Sequence, residues 1–195
     1  TSYIPFDTEG SLEVELEWCV LLLKHYEHEI NEYIVLKNRY ETSLLHGEYA
    51  SAKIILDSIN EISYSLWGLE QTMNLSELEG GFKKNREKLS ELASLTNEYI
   101  LLRFCEFFSF KAEKQSTYTN FIHKLNSLFR VEDNSFIKYL LQDYFHFQFD
   151  SLYHDMSVES MKRVLSFSST LPFIDMYEDI IKICSFIATS DKHKD

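Results

Sequence analysis

The chain has 195 residues, of which 31 are acidic and 19 are basic, and its formal net charge at pH 7 is −12. Proteins bind nucleic acids mainly by neutralising phosphates with Lys and Arg, so this balance argues against a nucleic-acid partner. The hydrophobic fraction of 45% suffices for a sizeable core, and the chain contains only 5 Gly and 2 Pro. Sheet-rich folds need more turn residues than this, so the composition favours an all-α fold.

The predicted elements are helices joined by short connections. After an extended lead-in over residues 1–10, no helix-breaking residue occurs before Gly47, so residues 11–46 form one long helix or two with an unmarked joint. Ser11 is expected to cap this segment. Further helices are predicted at about 48–60, 63 or 65–78, 82–94, 96–113, 116 or 117–130, 134–147, 157–169 and 173–188, with a polar tail at 191–195. This makes about eight or nine helices and no sheet.

A repeat with a period of 33 residues runs through the middle of the chain. It aligns Tyr40 with Met73 and Gly47 with Gly80, and apolar residues recur around each pair. These are the positions that a helix–turn–helix unit has to bury, together with the Gly that forms the turn. We therefore expect two repeat units, at about 33–65 and 66–98, within a single helical domain over residues 11–190.

The segment Gly47–Ala52 resembles the central part of a tetratricopeptide repeat, where a Gly is followed by an acidic residue, an aromatic residue and a small Ala. Gly80–Phe82 repeats this pattern, with Asn85 at the position of the Ala. The first helix of each unit departs from the family pattern, and no Pro closes either unit. The resemblance covers about residues 33–94 and implies an α-solenoid of stacked antiparallel helical hairpins.

The resemblance also implies a groove that takes a peptide or the surface of another protein. We therefore expect an interaction scaffold or adaptor domain with a protein or peptide partner. In the register of the repeat, the residues that would line the groove are Ile34, Lys37, Glu41, Trp67, Glu70 and Asn74.

The chain starts with Thr1 and ends in a polar run, which we interpret as a domain excised from a larger intracellular protein. Its three Cys stand far apart in apolar runs, and buried, unpaired thiols in a reducing compartment are the simplest interpretation. No signal peptide opens the chain, and its longest aliphatic run, Val20–Leu23, is too short to span a membrane. We therefore expect a cytoplasmic protein that does not enter a membrane.

One segment carries residue types that bind metals in other helical proteins. His25, His28, Glu29 and Glu32 have spacings of three, four and seven, so a continuous helix would present them on one face. His28 and Glu29 match the first two residues of a His-Glu-x-x-His zinc motif, but Glu32 replaces the second His. No nearby residue completes a ligand set. A polar stripe on an exposed helix is therefore the preferred interpretation.

A second polar stripe consists of His146, Asp150 and His154, at steps of four. Aromatic residues interleave with it so densely that part of the run has to belong to the core. We interpret the stripe as a His–Asp hydrogen bond that satisfies a half-buried imidazole, rather than as a ligand set. Neither a metal nor a cofactor is expected.

Motifs for nucleophilic catalysis or phosphate binding are absent from the sequence, which has no Gly-x-Ser-x-Gly, no Walker loop and no Gly-x-Gly-x-x-Gly. We therefore expect a protein without enzymatic activity. Two alternatives stay open. One is a helical metal-binding enzyme that uses the four residues between His25 and Glu32. The other is a self-associating domain, with a homo-oligomer interface built by the Phe-rich stretches at 104–110 and 144–149.

Overall fold

The computed structural model of the protein describes residues 10–129, 135–149 and 157–190, and within these ranges it contains nine α-helices and no strand. The prediction of an all-α fold is confirmed. The predicted lead-in, except for Gly10, and the polar tail at 191–195 lie outside the described residues. The helices are α1 Leu12–Lys24, α2 Glu27–Leu45, α3 Tyr49–Ile62, α4 Leu66–Leu95, α5 Tyr99–Ala112, α6 Tyr118–Phe129, α7 Ser135–Phe149, α8 Val158–Ser168 and α9 Phe173–Ser190.

Serine side chains fix where several of these helices begin. Ser11 Oγ accepts from the backbone N–H of Val14 at 3.4 Å, as the sequence predicts. Ser65 Oγ accepts from Gly68 N at 3.0 Å and thereby starts α4, which decides between the two predicted starting points. A third serine caps α8 in the same way. Each bond satisfies one of the N–H groups that the first turn of a helix leaves unpaired.

The segment 11–46 is two helices, α1 and α2. No Gly or Pro marks their joint. The backbone N–H groups of His25 and Tyr26 donate to the carbonyls of Leu22 and Leu23, three residues back, at 3.1 and 2.9 Å. Such tightened bonds are typical of the last turn of a helix. No residue type marks the end of α1, so the sequence could not decide between one long helix and two.

Two glycines with positive φ turn the chain in the predicted repeat. Gly47 has φ 73° and follows α2, whereas Gly81 has φ 65° and ψ −162° and interrupts α4. Helix α4 therefore consists of two segments, residues 66–80 and 82–95, as the glycine pair predicts. The alignment of Gly47 with Gly80 needs a correction of one residue, because the first segment of α4 continues through Gly80.

The chain divides into two compact units, each of which has its own core. We call residues 28–123 the central unit, and residues 1–27 together with 124–195 the terminal unit. In the central unit α3 and α5 pack against α4, and in the terminal unit α1, α7 and α9 pack against α8. Whether the whole of 11–190 is one repeat domain stays a prediction. The largest fully buried side chains include Tyr33, Tyr40, Met73 and Phe108 in the central unit, and Tyr144, Phe145, Leu165 and Ile174 in the terminal unit.

The cysteines correct one expectation. Cys19 and Cys105 are buried, and burial raises the pKa of Cys19 to about 11 and also raises that of Cys105. Cys184 is exposed, because it follows the buried Ile183 and so points to the outer side of α9. Among the described helices, none combines the length and the apolar character that crossing a bilayer would require.

Candidate partner-binding face on helices α2 and α4

An aromatic group at the start of α4 contacts α2. Tyr33 and Tyr40 lie two turns apart on one face of α2 and are fully buried. Trp67, in the first turn of α4, meets both rings edge-on, at centroid distances of 5.3 Å and 5.9 Å and interplanar angles of 87° and 71°. Its indole is only partly buried. The two tyrosines therefore hold a partly exposed tryptophan in one orientation.

Two charged side chains of α2 lie beside this indole. Lys37 is one helical turn from each tyrosine, and its Nζ is 5.9 Å from the centroid of the Trp67 ring and 6.0 Å from that of Tyr33. The same Nζ is 4.0 Å from Glu41 Oε1. The side chains of Lys37 and Glu41 are 25% and 53% exposed. An ammonium, a carboxylate and an indole thus meet at the surface. We call Tyr33, Lys37, Tyr40, Glu41 and Trp67 the Trp67 cluster.

The hydroxyl of Tyr40 links α2 to α4 by donating to the backbone carbonyl of Gln71 at 3.4 Å. Burial, and to a smaller extent the nearby carboxylates of Glu41 and Glu70, raise the pKa of Tyr40 well above its ordinary value. The phenol therefore stays protonated across the physiological range and acts as a permanent donor. This interhelical contact holds in place the tyrosine ring against which Trp67 packs.

The structure places the other predicted groove residues differently. Glu70 accepts from Lys111 of α5 at 2.6 Å, and its side chain is only 14% exposed. Asn74 donates to Gln71 Oε1 at 3.4 Å, and both Ile34 and Asn74 are partly buried. Sequence spacing pointed to no partner for Glu70, because Lys111 comes from another helix. The structure thus brings Lys37, Glu41 and Trp67 together, while Glu70 is already paired.

Burial matches at three of the position pairs that the repeat aligns, whereas Leu56 and Ile59 are buried and their counterparts Leu89 and Leu92 are only partly buried. Tyr40 and Met73 are 1% and 0% exposed, and Ser43 and Ser76, three residues later, are 8% and 7% exposed. After the turns, Ala52 and Asn85 are both 0% exposed. Equal burial at a spacing of 33 residues is what stacked equivalent hairpins would require. The solenoid itself stays a prediction.

The residues weighed as metal ligands do not share one helix. His25 is the C-terminal cap of α1, whereas His28, Glu29 and Glu32 lie on α2. Three of the four are exposed, and Glu29 is partly buried. Over the ranges that the structure describes, no group of three His, Cys, Asp or Glu residues is arranged to hold a metal ion.

Of the second polar stripe, only His146 falls within the described residues, and Asp150 and His154 lie outside them. His146 is partly buried in α7, and burial lowers its pKa, partly opposed by the charge of Asp143. The neutral imidazole is therefore favoured near neutral pH. Because Asp150 lies outside the described residues, the His–Asp hydrogen bond stays a prediction.

A pocket of about 290 Å³ lies between α3 and the two segments of α4. Its lining carries charges of both signs, among them Lys53, Lys84, Lys88, Glu79 and Glu91. Lys84 pairs with Glu79, and Lys88 pairs with Glu91 at 3.0 Å. Because two of the ammonium groups are paired with acidic residues of the same lining, and the lining as a whole carries both signs of charge, we do not regard this pocket as the functional site.

The terminal unit contains a buried carboxyl group that sequence reasoning missed. Asp179 of α9 is 2% exposed and accepts hydrogen bonds from Ser168 of α8 and Gln148 of α7. Lys182 Nζ donates to the backbone carbonyl of Gln148 at 3.2 Å. Tyr144 of α7 also faces Asp179, and burial, followed by this carboxylate, raises its pKa. We call these five residues the Asp179 cluster.

The hydrogen bonds around Ser168 indicate the protonation state of Asp179. Ser168 Oγ lies 2.8 Å from the carbonyl of Val164 and 2.6 Å from Asp179 Oδ2, but a hydroxyl has one proton to donate. Both contacts are hydrogen bonds at once only when Asp179 is protonated and donates to Ser168. In agreement, burial raises the pKa of Asp179 to about 6, against the opposing effect of its hydrogen bonds and of Lys182. The sequence signal was the spacing of Asp175, Asp179 and Ile183 on one buried stripe.

The central unit holds a second buried polar group where α4 packs against α5. Asn85, at the position of the Ala in the repeat, donates from Nδ2 to the carbonyl of Ser109 at 2.8 Å and to Glu77 Oε2 at 3.3 Å. All three residues are buried. Among the described residues, Asn85 Oδ1 and Ser109 Oγ have no hydrogen-bond partner. We call Glu77, Asn85 and Ser109 the Asn85 cluster.

Comparisons of this chain with protein-family models, curated proteins and solved structures found no match. The resemblance to tetratricopeptide repeats therefore still depends on the residues that carry it. A function has to be argued from the geometry of the two units, and the Trp67 cluster is the part of the predicted groove that the structure brings together.

Proposed function

We propose that the protein is an interaction scaffold, which binds a peptide or another protein through the face formed by α2 and the start of α4. The observation that carries the proposal is the Trp67 cluster, in which two buried tyrosines hold a partly exposed indole beside an ammonium and a carboxylate. Residues that dominate binding energies are enriched in Trp, Tyr and Arg. Three of the groove residues implied by the resemblance, Lys37, Glu41 and Trp67, belong to this cluster.

Preorganisation favours binding over a purely structural role for this indole. Ordering a mobile side chain on binding costs about 0.5–1.5 kcal/mol. Trp67 avoids much of this cost, because its orientation is set by Tyr33 and Tyr40 before any partner arrives. Lys37 and Glu41 lie at its rim, where complementary charges orient a partner and where like charges brought together strongly disfavour binding. The cluster therefore combines an apolar anchor with a polar rim.

The proposal includes a cytoplasmic setting and needs neither a catalytic step nor a cofactor. The buried thiols of Cys19 and Cys105 agree with a reducing compartment. Phe104, Phe107 and Phe108 are 2%, 3% and 1% exposed and belong to the core of the central unit. Their structural role favours the scaffold over the alternative in which Phe-rich helices form a self-association interface.

The test is selection of peptide ligands from a random displayed library on the whole chain, followed by calorimetric titration of the selected peptides with variants. Lys37→Glu removes the cation beside the indole and places two carboxylates side by side. Lys53→Glu, at an exposed position of α3 in the same unit, is the matched control for the charge change. We expect Lys37→Glu to weaken binding at least tenfold, and Lys53→Glu to change it less than twofold.

A second variant, Trp67→Phe, keeps a ring against the two tyrosines and removes part of the exposed surface. We expect it to weaken the same peptides several-fold, while far-ultraviolet circular dichroism shows an unchanged helix content. Selected peptides that bind wild type, Lys37→Glu and Trp67→Phe with equal affinity would refute the proposed face. Glu70→Lys is not a useful variant, because it breaks the internal pair with Lys111.

A further inference from the structure

Helix α1 of the terminal unit exposes a row of large apolar side chains. Val14, Trp18 and Leu21 are 55%, 55% and 59% exposed. Their spacing of four and three residues places them on one face of the helix. Cys19, on the other side, is fully buried where α1 packs against α8 and α9. A single exposed Leu is ordinary, but an aligned row that includes a Trp indicates an interaction surface.

The charges around this row have one sign over most of its length. The first turns of α1 carry Glu13, Glu15 and Glu17, and no basic residue occurs in the helix before Lys24. Glu13 and Glu17 are exposed and lie four residues apart, along one edge of the apolar row. A ligand that covers the row therefore meets carboxylates at its flank.

We propose that Val14, Trp18 and Leu21, flanked by Glu13 and Glu17, form a docking surface for a basic amphipathic helix of a partner protein. The row spans eight residues, or about 10 Å along the helix axis, which is the length that two turns of a second helix cover. Anchors at i, i+4 and i+7 are the pattern with which helices pack on helices and grooves. Lys or Arg beside the apolar face of the partner would pair with the two carboxylates.

Two other occupants fit the same surface less well. A second copy of this chain would bring its own Glu13, Glu15 and Glu17 to the interface, and like charges brought together cost association energy. An anionic membrane surface would meet the same carboxylates and repel them. This docking surface lies in the terminal unit and uses none of the residues of the Trp67 cluster, so either proposal can fail while the other holds.

The test measures binding of a fluorescent synthetic peptide to the whole chain by anisotropy. The peptide is an amphipathic helix with a Leu face flanked by Lys, and its companion has every Lys replaced by Glu. We expect the basic peptide to bind and the acidic peptide to show no saturable binding. Trp18→Ser is expected to weaken the basic peptide at least tenfold, and Glu13→Lys combined with Glu17→Lys to weaken it by a similar factor.

Val158→Ser is the control for losing an apolar surface residue, since Val158 is 50% exposed on α8 of the same unit. We expect it to change binding less than twofold. Leu21→Ser provides a second test in case the Trp18→Ser variant is unstable, because the loss of either side chain should weaken binding of the basic peptide. A variant is included only if its circular dichroism is unchanged and it sediments as a single species.

Each contrary result overturns the proposal. Binding that responds to the Glu→Lys changes but not to Trp18→Ser or Leu21→Ser would show general attraction of a cation to an acidic protein. A wild-type dimer that Trp18→Ser converts to a monomer would assign the face to self-association. Co-sedimentation with phosphatidylserine vesicles that Trp18→Ser abolishes would assign it to a lipid surface.

Discussion

The two units bury polar groups in opposite ways. In the Asp179 cluster of the terminal unit, the carboxyl accepts from Gln148, and in its protonated form it donates to Ser168, whose own proton goes to the carbonyl of Val164. In the Asn85 cluster of the central unit, the amide N–H₂ makes two bonds, but Asn85 Oδ1 and Ser109 Oγ stay unsatisfied among the described residues. One cluster is complete and pH-dependent, and the other is incomplete.

The two clusters differ in whether each buried polar atom of their side chains has a hydrogen-bond partner. Asn85 occupies a fully buried position at which the preceding unit has Ala52. Its side chain finds two acceptors there, Glu77 on α4 and the carbonyl of Ser109 on α5, but no donor for Oδ1 among the described residues. Asp179 has hydrogen-bond partners on two neighbouring helices, α7 and α8. A buried polar group that keeps all its partners can be neutral for stability, whereas a missing partner costs about 1–3 kcal/mol. The comparison can be tested one side chain at a time.

The largest expected effect is at Asp179. Its pKa is raised from 3.8 to about 6, so the folded state binds this proton more tightly than the unfolded state does. The resulting stabilisation is fully present below pH 3.8 and is lost as the pH rises through about 6. Asp179→Asn removes this dependence. The unfolding free energy of wild type minus that of the variant should fall by about 3 kcal/mol in total across this window, measured by urea denaturation.

Asp57→Asn, at an exposed position of α3, is the control for losing one carboxylate. The wild-type-minus-variant difference for Asp57→Asn should stay nearly constant over the same pH window. A difference for Asp179→Asn that is equally flat would mean that Asp179 is ionised in the folded protein, and that the terminal unit tolerates a buried carboxylate.

The next effect is at Asn85. Asn85→Ala restores the small residue of the repeat but removes the amide donor from the buried carboxylate of Glu77 and from the carbonyl of Ser109. We expect a loss of about 2 kcal/mol in the unfolding free energy, because a buried acceptor without a partner costs more than the bond itself contributes. Combining it with Glu77→Gln should recover part of that loss. If Asn85→Ala were as stable as wild type, the small side chain would matter more than the bonds.

The smallest effect comes from a matched pair of serines, both 0% exposed. Ser168→Ala removes a bond to Asp179 and should cost about 1 kcal/mol. Ser109→Ala removes a hydroxyl that has no hydrogen-bond partner among the described residues, and should cost nothing or slightly stabilise the protein. Equal losses at the two positions would erase the contrast between the clusters. Thermal unfolding at pH 5, where Asp179 is largely protonated, is the appropriate measurement.

Most of the fold could be predicted from local sequence signals. Ser65 and Ser157 mark helix starts through bonds to residues three positions later, and the Gly80–Gly81 pair marks the break in α4. The joint between α1 and α2 was left open, since no side chain causes it. Local periodicity thus accounts for the helices, whereas the connections between distant helices leave no comparable signal.

For the candidate site too, the sequence predicted the positions along one helix but not the contacts between helices. The spacing of Lys37 and Glu41 follows from helical geometry, and the repeat register placed Trp67 beside them. Its edge-on packing depends on two tyrosines of another helix, and the pairing of Glu70 depends on Lys111, 41 residues later in the chain. The Asp179 cluster draws on three helices in the same way. Contacts between residues on different helices can be identified only once the tertiary structure is known.

The two tryptophans are distributed one to each unit, so fluorescence excited selectively in tryptophan reports on each unit through a single side chain. Trp18 is already more than half exposed when folded, so its emission should shift little on unfolding. Trp67 lies against a lysine and two tyrosine rings, and its emission should move to longer wavelength when the central unit opens. An unfolding curve recorded by fluorescence would therefore follow the central unit almost alone, and its separation from the ellipticity curve would show whether the two units unfold together.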